Sequence, residues 1–428
     1  GGFIYMAVLN FIVKEIFGQG AIFLALIAMI GLLLQKKSIG EVIRGTFMTA
    51  IGFFVLNRGV AIISEVIGGL SAAFCAVMPQ AIPSTTVDIG AEYGTQIGIV
   101  MVVAFIINLL VARFTKWKAV FLTGHMLYWF PFVFIAAGVD AGLKGTTLIV
   151  LATIFTALYM IVSPNLMRPL VKEATGDDSF TIGHPTTCLS LVAGYLGKVV
   201  GNKSKSTEDL NLPKSLGFLK EISITGSLVI GITYGILAFV LRGAGLVPGE
   251  VWGYAADAAF SFYFTKMMTF GVGISILLFG IRMLIAEIVP AFKGIADKLI
   301  PGAIPALDCP VIFNIATNAL IIGFITALIT STITLLITLP MGIFPTVVLP
   351  LVFTCFFEAG TAAIIGNATG GVRGCIIGSA LNGIIMIFLV GLGANFFNHT
   401  INDWMLVFGG QDFSLWGMLE GLVARLFV

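Results

Sequence analysis

Three ionisable side chains stand where the surrounding sequence is apolar. His125 lies in Phe121-Leu122-Thr123-Gly124-His125-Met126-Leu127-Tyr128-Trp129, His184 in Phe180-Thr181-Ile182-Gly183-His184-Pro185-Thr186-Thr187-Cys188, and Asp308 in Ala303-Ile304-Pro305-Ala306-Leu307-Asp308-Cys309-Pro310. An ionisable group in hydrocarbon costs roughly 2.5–3.5 kcal/mol, so each needs a partner or a water-lined site. Imidazoles can donate to or accept from hydroxyls, a carboxylate accepts, and Tyr128 and Trp129 offer faces on which a sugar-like ring can stack. The chemistry this set can do is recognition of a polyhydroxylated ligand. An intramembrane enzyme using His125, His184 and Asp308 as acid and base groups is the alternative, but no nucleophile or metal set accompanies them. The chain has no GxxxxGK[ST] phosphate loop and no GxSxG elbow, and its five cysteines (Cys75, Cys188, Cys309, Cys355, Cys375) show no ligand spacing. No metal, cofactor or nucleic-acid partner is expected.

The local sequence also breaks helices at these residues. Pro185 disfavours helical geometry at His184 and removes an amide donor, so the chain should stop there and restart as a half-helix over 186–200. Thr186 and Thr187 then sit at its start, where free N–H groups point into whatever cavity the break lines. Asp308 lies between Pro305 and Pro310, in a similar broken turn. Plainer roles are available: a His bonded to a neighbouring carbonyl, and an Asp capping nearby amides.

The turn around Asp308 has an earlier counterpart. A shift of 222 positions lays Ile63-Ser64-Glu65-Val66-Ile67 on Ile285-Ala286-Glu287-Ile288-Val289, and Pro79-Gln80-Ala81-Ile82-Pro83 on Pro301-Gly302-Ala303-Ile304-Pro305. Thr86 then aligns with Asp308, next to Thr85. The shift skips about five spans, an odd number that inverts the second copy, and paired broken turns in two halves point to a ligand site near mid-membrane. Glu65 and Glu287 match in the repeat and are expected to pair with Arg58 and Arg282; a proton-relay role is the alternative. Phe356-Phe357-Glu358 through Asn367-Ala368-Thr369-Gly370-Gly371 reads as a Gly-rich re-entrant hairpin, making Glu358 and Asn367 a second candidate site. His399, near Asn398 and Asn402, reads as interfacial.

The elements that must hold these residues are membrane spans. The chain of 428 residues is 58% hydrophobic and 10% charged, with a mean hydropathy of +1.07. The charge is too sparse to cover a soluble surface. Apolar runs long enough to span recur near 20–34, 44–58, 93–112, 119–138, 146–167, 222–241, 267–289, 313–338, 342–357 and 374–397, with 413–428 marginal. Residues 6–18 and 59–78 read as shorter interfacial helices. Gly1-Gly2 ahead of Met6 has no basic n-region, so it is not read as a secretory signal. Lys36, Lys37 and Arg44, then Arg113, Lys116 and Lys118, then Arg168 and Lys172 make alternate loops basic, which assigns them to the cytoplasm. The polar stretch 198–220 falls on the same side and is either a docking surface for a cytosolic partner or a solvated linker.

Taken together, Thr123-Gly124-His125, Ser179 through His184, Arg282 through Ala303 and on to Leu307-Asp308-Cys309, with Lys36-Lys37-Ser38 to Phe53, resemble the membrane (IIC) component of the ascorbate family of the bacterial phosphoenolpyruvate-dependent phosphotransferase system. The resemblance covers nearly the whole chain and is strongest over 282–309. It implies an all-α polytopic protein of about eleven transmembrane helices in the bacterial inner membrane, with inverted repeats, re-entrant hairpins and a homodimer. The V-shaped dimerisation domain would be 1–80 and 221–300, and the core (transport) domain 81–220, with its cytoplasmic loop 198–220, and 301–428. It further implies an elevator-type movement of L-ascorbate or a related sugar, phosphorylated by a cytosolic IIB partner that IIA charges. Its substrate site would use His125, Trp129, His184, Thr186, Asp308, Thr85 and Thr86. Ascorbate members resemble one another in having glutamines shortly after each histidine, where this chain has Trp129 and Pro185-Thr186-Thr187. That exchange changes the donor and acceptor set, leaving a different sugar or a pentitol as the alternative ligand. An ion-coupled secondary carrier using Glu65, Glu287, Glu358 and Asp308 is the alternative mechanism.

Overall fold

The structure, a computed structural model, describes residues 7–8, 11–17, 19–77, 86–210, 218, 221–344, 348 and 351–428. The chain is predominantly helical. Its main elements are α1 (Gly20–Leu34), α2 (Ile39–Val77), α3 (Gly94–Phe114), β1 (Ala119–Phe121), α4 (Met126–Asp140), α5 (Gly145–Thr175), β2 (Thr181–Ile182), α6 (Thr187–Val200), α7 (Ile222–Gly243), α8 (Ala259–Lys298), β3 (Ile304–Leu307), α9 (Thr317–Thr338), α10 (Val352–Gly393) and α11 (Asp412–Ala424). Among the described residues, seven helices are long and apolar enough to cross a membrane, and α1, α4 and α6 are shorter apolar helices. Their outer faces carry apolar side chains such as Ile106, Phe239, Phe279 and Ile333, as a lipid-facing surface requires.

The expected span 44–58 and interfacial helix 59–78 are one continuous helix, α2. Gly59 does not interrupt it, because the missing side chain is used for contact: a Cβ there would collide with the backbone of Leu277 on α8. Gly52 meets Leu284, Gly280 meets Leu56 and Gly273 meets Ile63 in the same way. Each of these pairs of residue numbers adds to 336, the register of two helices packed antiparallel, with glycines letting the backbones approach. Glu65 and Glu287 sit on this pair, but their partners come from across the fold. Lys266 Nζ lies 2.8 Å from Glu65 and Arg44 Nη2 3.0 Å from Glu287. The expected pairing with Arg58 and Arg282 is therefore corrected. Antiparallel packing brings Lys266 of α8 to Glu65 of α2, and Arg44 of α2 to Glu287 of α8.

Three short strands form a parallel sheet in the order β1-β3-β2, with Val120 opposite Pro305 and Thr181 opposite Ala306. Ile304 N–H donates to the Lys118 carbonyl, and Leu122 and Gly183 N–H donate to Ala306 and Leu307. Pro305 thus sits in the central strand, missing one donor, while its neighbours carry the ladder. A sheet edge facing lipid would strand polar backbone groups. The β1 edge is closed by Asn108 of α3, whose amide donates to the Ala119 carbonyl at 3.1 Å and whose oxygen accepts from Phe121 N–H at 2.9 Å. Because the strands are parallel, all three start at one end. The basic residues before β1 (Lys116 and Lys118 in the loop) and before β2 (Arg168 and Lys172 in the last turns of α5) therefore share one side, in line with the charge reading. On that side Arg168 holds the Asp178 carboxyl below its ordinary range through a 2.7 Å charge-assisted hydrogen bond.

The runs 342–357 and 374–397 contribute to a single element, α10, which breaks at Gly371 (φ 61°, ψ −154°), a conformation that favours glycine. Gly366 and Gly374 are in backbone contact across the break, so the chain doubles back there. The residues after α6 clasp the tip: Asn202 N–H donates to the Gly370 carbonyl, and Val372 N–H donates to Lys205.

If Asn108 closes the sheet edge, Asn108→Leu strands one buried carbonyl and one N–H. At about 1–3 kcal/mol for each unsatisfied group, the thermal midpoint in detergent should fall clearly. The lipid-facing control Ile106→Leu should leave it unchanged.

Candidate functional site

All three strands end at a residue singled out by the sequence. Thr123-Gly124-His125 follows β1, Gly183-His184 follows β2, and Asp308 follows β3 directly. Strands of two to four residues at about 3.3 Å each carry the chain roughly 7–13 Å inward from the basic side before the functional residue appears. The glycines before the histidines permit this convergence. A Cβ on Gly183 would lie 2.9 Å from the Phe121 ring, and one on Gly124 2.8 Å from the Gly20 backbone.

His125 Nε2 and His184 Nε2 face the two oxygens of Asp308 at 3.6 and 3.4 Å. On its other side, His184 Nδ1 faces Glu358 Oε1 of α10 at 3.8 Å. These separations are long for direct hydrogen bonds, so the groups ring a space that a third atom can bridge. Asp308 Oδ1 also accepts from Cys309 N–H at 2.8 Å, which fixes the carboxylate and makes it both a cap and a cavity wall. The side chain of His184 is 7% exposed and that of His125 38%.

These residues line a cavity of about 580 Å³ with Trp129, Asn57, Ser64, Phe357 and Trp404. Trp129 stacks on Trp404 at 5.2 Å and 29°, giving the cavity an aromatic wall. A second cavity of about 750 Å³, with Lys14, Glu92 and Thr95 in its lining, lies on the far side of His125 and Trp129, which border both.

Of the other expected residues, Thr186 is buried beside the site, its hydroxyl bonded to Ser190 and donating to the Glu358 carbonyl at 2.8 Å. Glu358 joins the cluster, whereas Asn367 lies at the doubled-back end of α10. There its oxygen accepts from Thr207 N–H at 2.9 Å and its amide donates to Ser206 at 3.1 Å. Thr86 is held at the His399 carbonyl, to which both its N–H and its hydroxyl donate. Thr85 lies outside the described residues. The polar stretch 198–220 is described to residue 210 and at 218, and two of its lysines, Lys198 and Lys203, pair with Glu173.

The half-helix begins where expected, as α6, but its free N–H groups do not point into the cavity. Asp412, fully buried at the start of α11, accepts from Thr187 and Cys188 N–H at 2.9 and 2.8 Å and from the Tyr159 hydroxyl at 2.7 Å. That hydroxyl also lies 3.1 Å from the His184 carbonyl. A carboxylate at a helix N-terminus satisfies donors and complements the helix dipole together. Reading 413–428 only as a marginal span passed over it. The signal was an acid directly after Gly409-Gly410-Gln411 in an apolar region. Trp404, too, was missed; it sits in the short helix Asn402–Phe408, too short to register as a span.

The fold and the cavity define a multi-pass membrane protein with a polar site held inside its helices. Residues 15–412 match the family model described as "EIIC-GAT: PTS system sugar-specific permease component". The chain belongs to this family, the membrane component class that its motifs resemble. It is also 22% identical over 457 aligned residues to the "Ascorbate-specific PTS system EIIC component" of Mycoplasma pneumoniae, an alignment covering 93% of this chain and 68% of that protein.

Removing the carboxylate in Asp412→Ala should lower the thermal midpoint and weaken ligand binding at least tenfold, since each hydrogen bond to a charged group contributes about 1.5–3 kcal/mol. Asp412→Asn, which keeps one acceptor, should fall between the alanine variant and wild type when both are measured by thermal shift and calorimetry.

Proposed function

We propose that this chain is the sugar-translocating IIC component of a bacterial inner-membrane phosphotransferase system. It would take L-ascorbate or a related sugar or pentitol into the cavity ringed by His125, His184, Asp308 and Glu358. The observation that carries this reading is that ring, three of its members set just after strands and Glu358 on α10, in a chain of this permease family. Imidazoles and carboxylates can bond alternate hydroxyls, and Trp129 with Trp404 can stack on the apolar face of a ring. The chain binds and moves the sugar; a cytosolic IIB partner, charged by IIA, transfers the phosphate. The polar stretch after α6 is a suitable docking surface for IIB.

An elevator-type movement fits the division of labour in the chain. The stretches 1–80 and 221–300, the V-shaped homodimerising part, meet through α2 and α8. The stretches 81–220 and 301–428, the moving core, meet through the sheet, which takes β1 and β2 from one and β3 from the other. Asn57 and Ser64 of α2 and the core side chains line the cavity together, so the ligand sits between the two bodies. The ion pairs across α2 and α8 support an inverted repeat, because a shift of 222 positions carries Arg44 onto Lys266 and Glu65 onto Glu287, exchanging one pair for the other. Ion coupling is the weaker reading, because Glu65 and Glu287 are already engaged in ion pairs.

Uptake of labelled ascorbate, pentitols and hexitols should require the general phosphotransferase enzymes of the host cell; uptake indifferent to them overturns the assignment. In purified protein, His184→Ala and Asp308→Asn should abolish sugar binding by calorimetry while the dimer persists on size exclusion. Binding that survives both changes would place the pocket elsewhere.

A further inference from the structure

The ring around the cavity has a second chemical capacity, which goes beyond the sugar reading. One imidazole nitrogen each from His125 and His184 and one Asp308 oxygen lie within 4.8 Å of one another. A tetrahedral zinc ion at about 2.0–2.2 Å from nitrogen and oxygen ligands holds them about 3.3–3.6 Å apart. The His184 Nε2 to Asp308 Oδ1 separation, 3.4 Å, already matches, and His125 Nε2 lies 3.6 Å from the other carboxylate oxygen, Oδ2. The edges from His125 to His184 and to the shared carboxylate oxygen close by adjustment of His125, the more exposed of the two rings.

Two independent features favour a cation. His184 Nδ1 is buried without a hydrogen-bond partner and faces the Glu358 carboxylate. A metal-bound histidine commonly presents its remaining N–H to such a carboxylate. In addition, Asp308 and Glu358 put two carboxylates on the cavity wall, and no Lys or Arg is among the described residues that line it. Buried carboxylates are stabilised by a counter-ion or by a metal.

We propose that His125, His184 and Asp308 bind a zinc-class divalent cation, with Glu358 orienting His184 from behind and the fourth coordination position open to the cavity. The mixed nitrogen and oxygen donor set suits zinc or cobalt and not magnesium, which takes oxygen ligands and keeps its water. The bound ion occupies the atoms that would meet sugar hydroxyls, so metal and sugar exclude one another and the ion acts as an inhibitor of transport.

The test is calorimetric titration of the chelator-stripped, detergent-purified chain with zinc chloride, with magnesium chloride as control and no sugar present. One zinc per chain is expected, with no magnesium binding. Affinity should fall at least a hundredfold in His184→Gln and Asp308→Asn, and tenfold to a hundredfold in Glu358→Gln. His399→Ala, which alters the third histidine of the chain, should bind as wild type does. Cobalt(II) added to the wild type should give the strong visible absorption of a four-coordinate site, a readout that needs no variant to fold. Absence of stoichiometric zinc binding, zinc binding unchanged in Asp308→Asn, or a cobalt spectrum of the hydrated six-coordinate ion overturns the site. Because sugar is absent from this titration, its result is independent of whether the chain carries ascorbate. Inhibition of uptake by zinc tests the exclusion separately.

Discussion

Backbone amides and carbonyls inside a membrane protein have no bulk water to fall back on, and this constraint organises the structure around the three strands. Helices meet it within themselves; extended backbone meets it only if neighbours supply the missing partners. Here β3 supplies one face of the ladder to both β1 and β2, Asn108 stands in for an absent strand beside β1, and Asp412 takes the amides that open α6. Once those demands are satisfied, the positions of His125, His184 and Asp308 follow, because each comes within four residues of a strand end. These three residues therefore inherit their geometry from main-chain hydrogen bonding rather than from contacts among themselves.

Much of the cluster around the cavity could be read in the sequence because its members are expensive in an apolar setting. His125, His184 and Asp308 stand out for that reason alone, and Pro185 marks the break that starts α6. The common side of the basic residues before β1 and β2 was also readable, since charge spacing along the chain needs no tertiary detail. The strands were not readable. Ala119-Val120-Phe121 is indistinguishable from the start of a hydrophobic helix until β3, nearly two hundred residues later, is laid beside it. Asp412 was hidden for a related reason: its partners, Thr187, Cys188 and Tyr159, lie more than 200 positions away. The ion pairs of Glu65 and Glu287 show the same limit, because a nearby arginine in sequence is a weaker guide than the register of two crossing helices.

Glycine has a second role beside turn formation. Along α2 and α8 it removes side chains where two helices must approach closely, and before His125 and His184 it lets strand ends converge on neighbouring backbone or rings. Without hydrophobic attraction between helices in lipid, such close approach is a main source of cohesion. The 51 glycines of the chain are thus compatible with long, regular helices.

The hairpin formed by α10 ties two distant regions into one stiff rod. Glu358, on the cavity wall, and Asn367, bonded to the loop after α6, are nine residues apart on the same helical arm, about 13–14 Å along its axis. Ser206 and Thr207 are hydrogen-bonded to Asn367 near one end of this arm, and Glu358 faces His184 nearer the other, so the loop after α6 and the buried ring are anchored to one and the same helical segment.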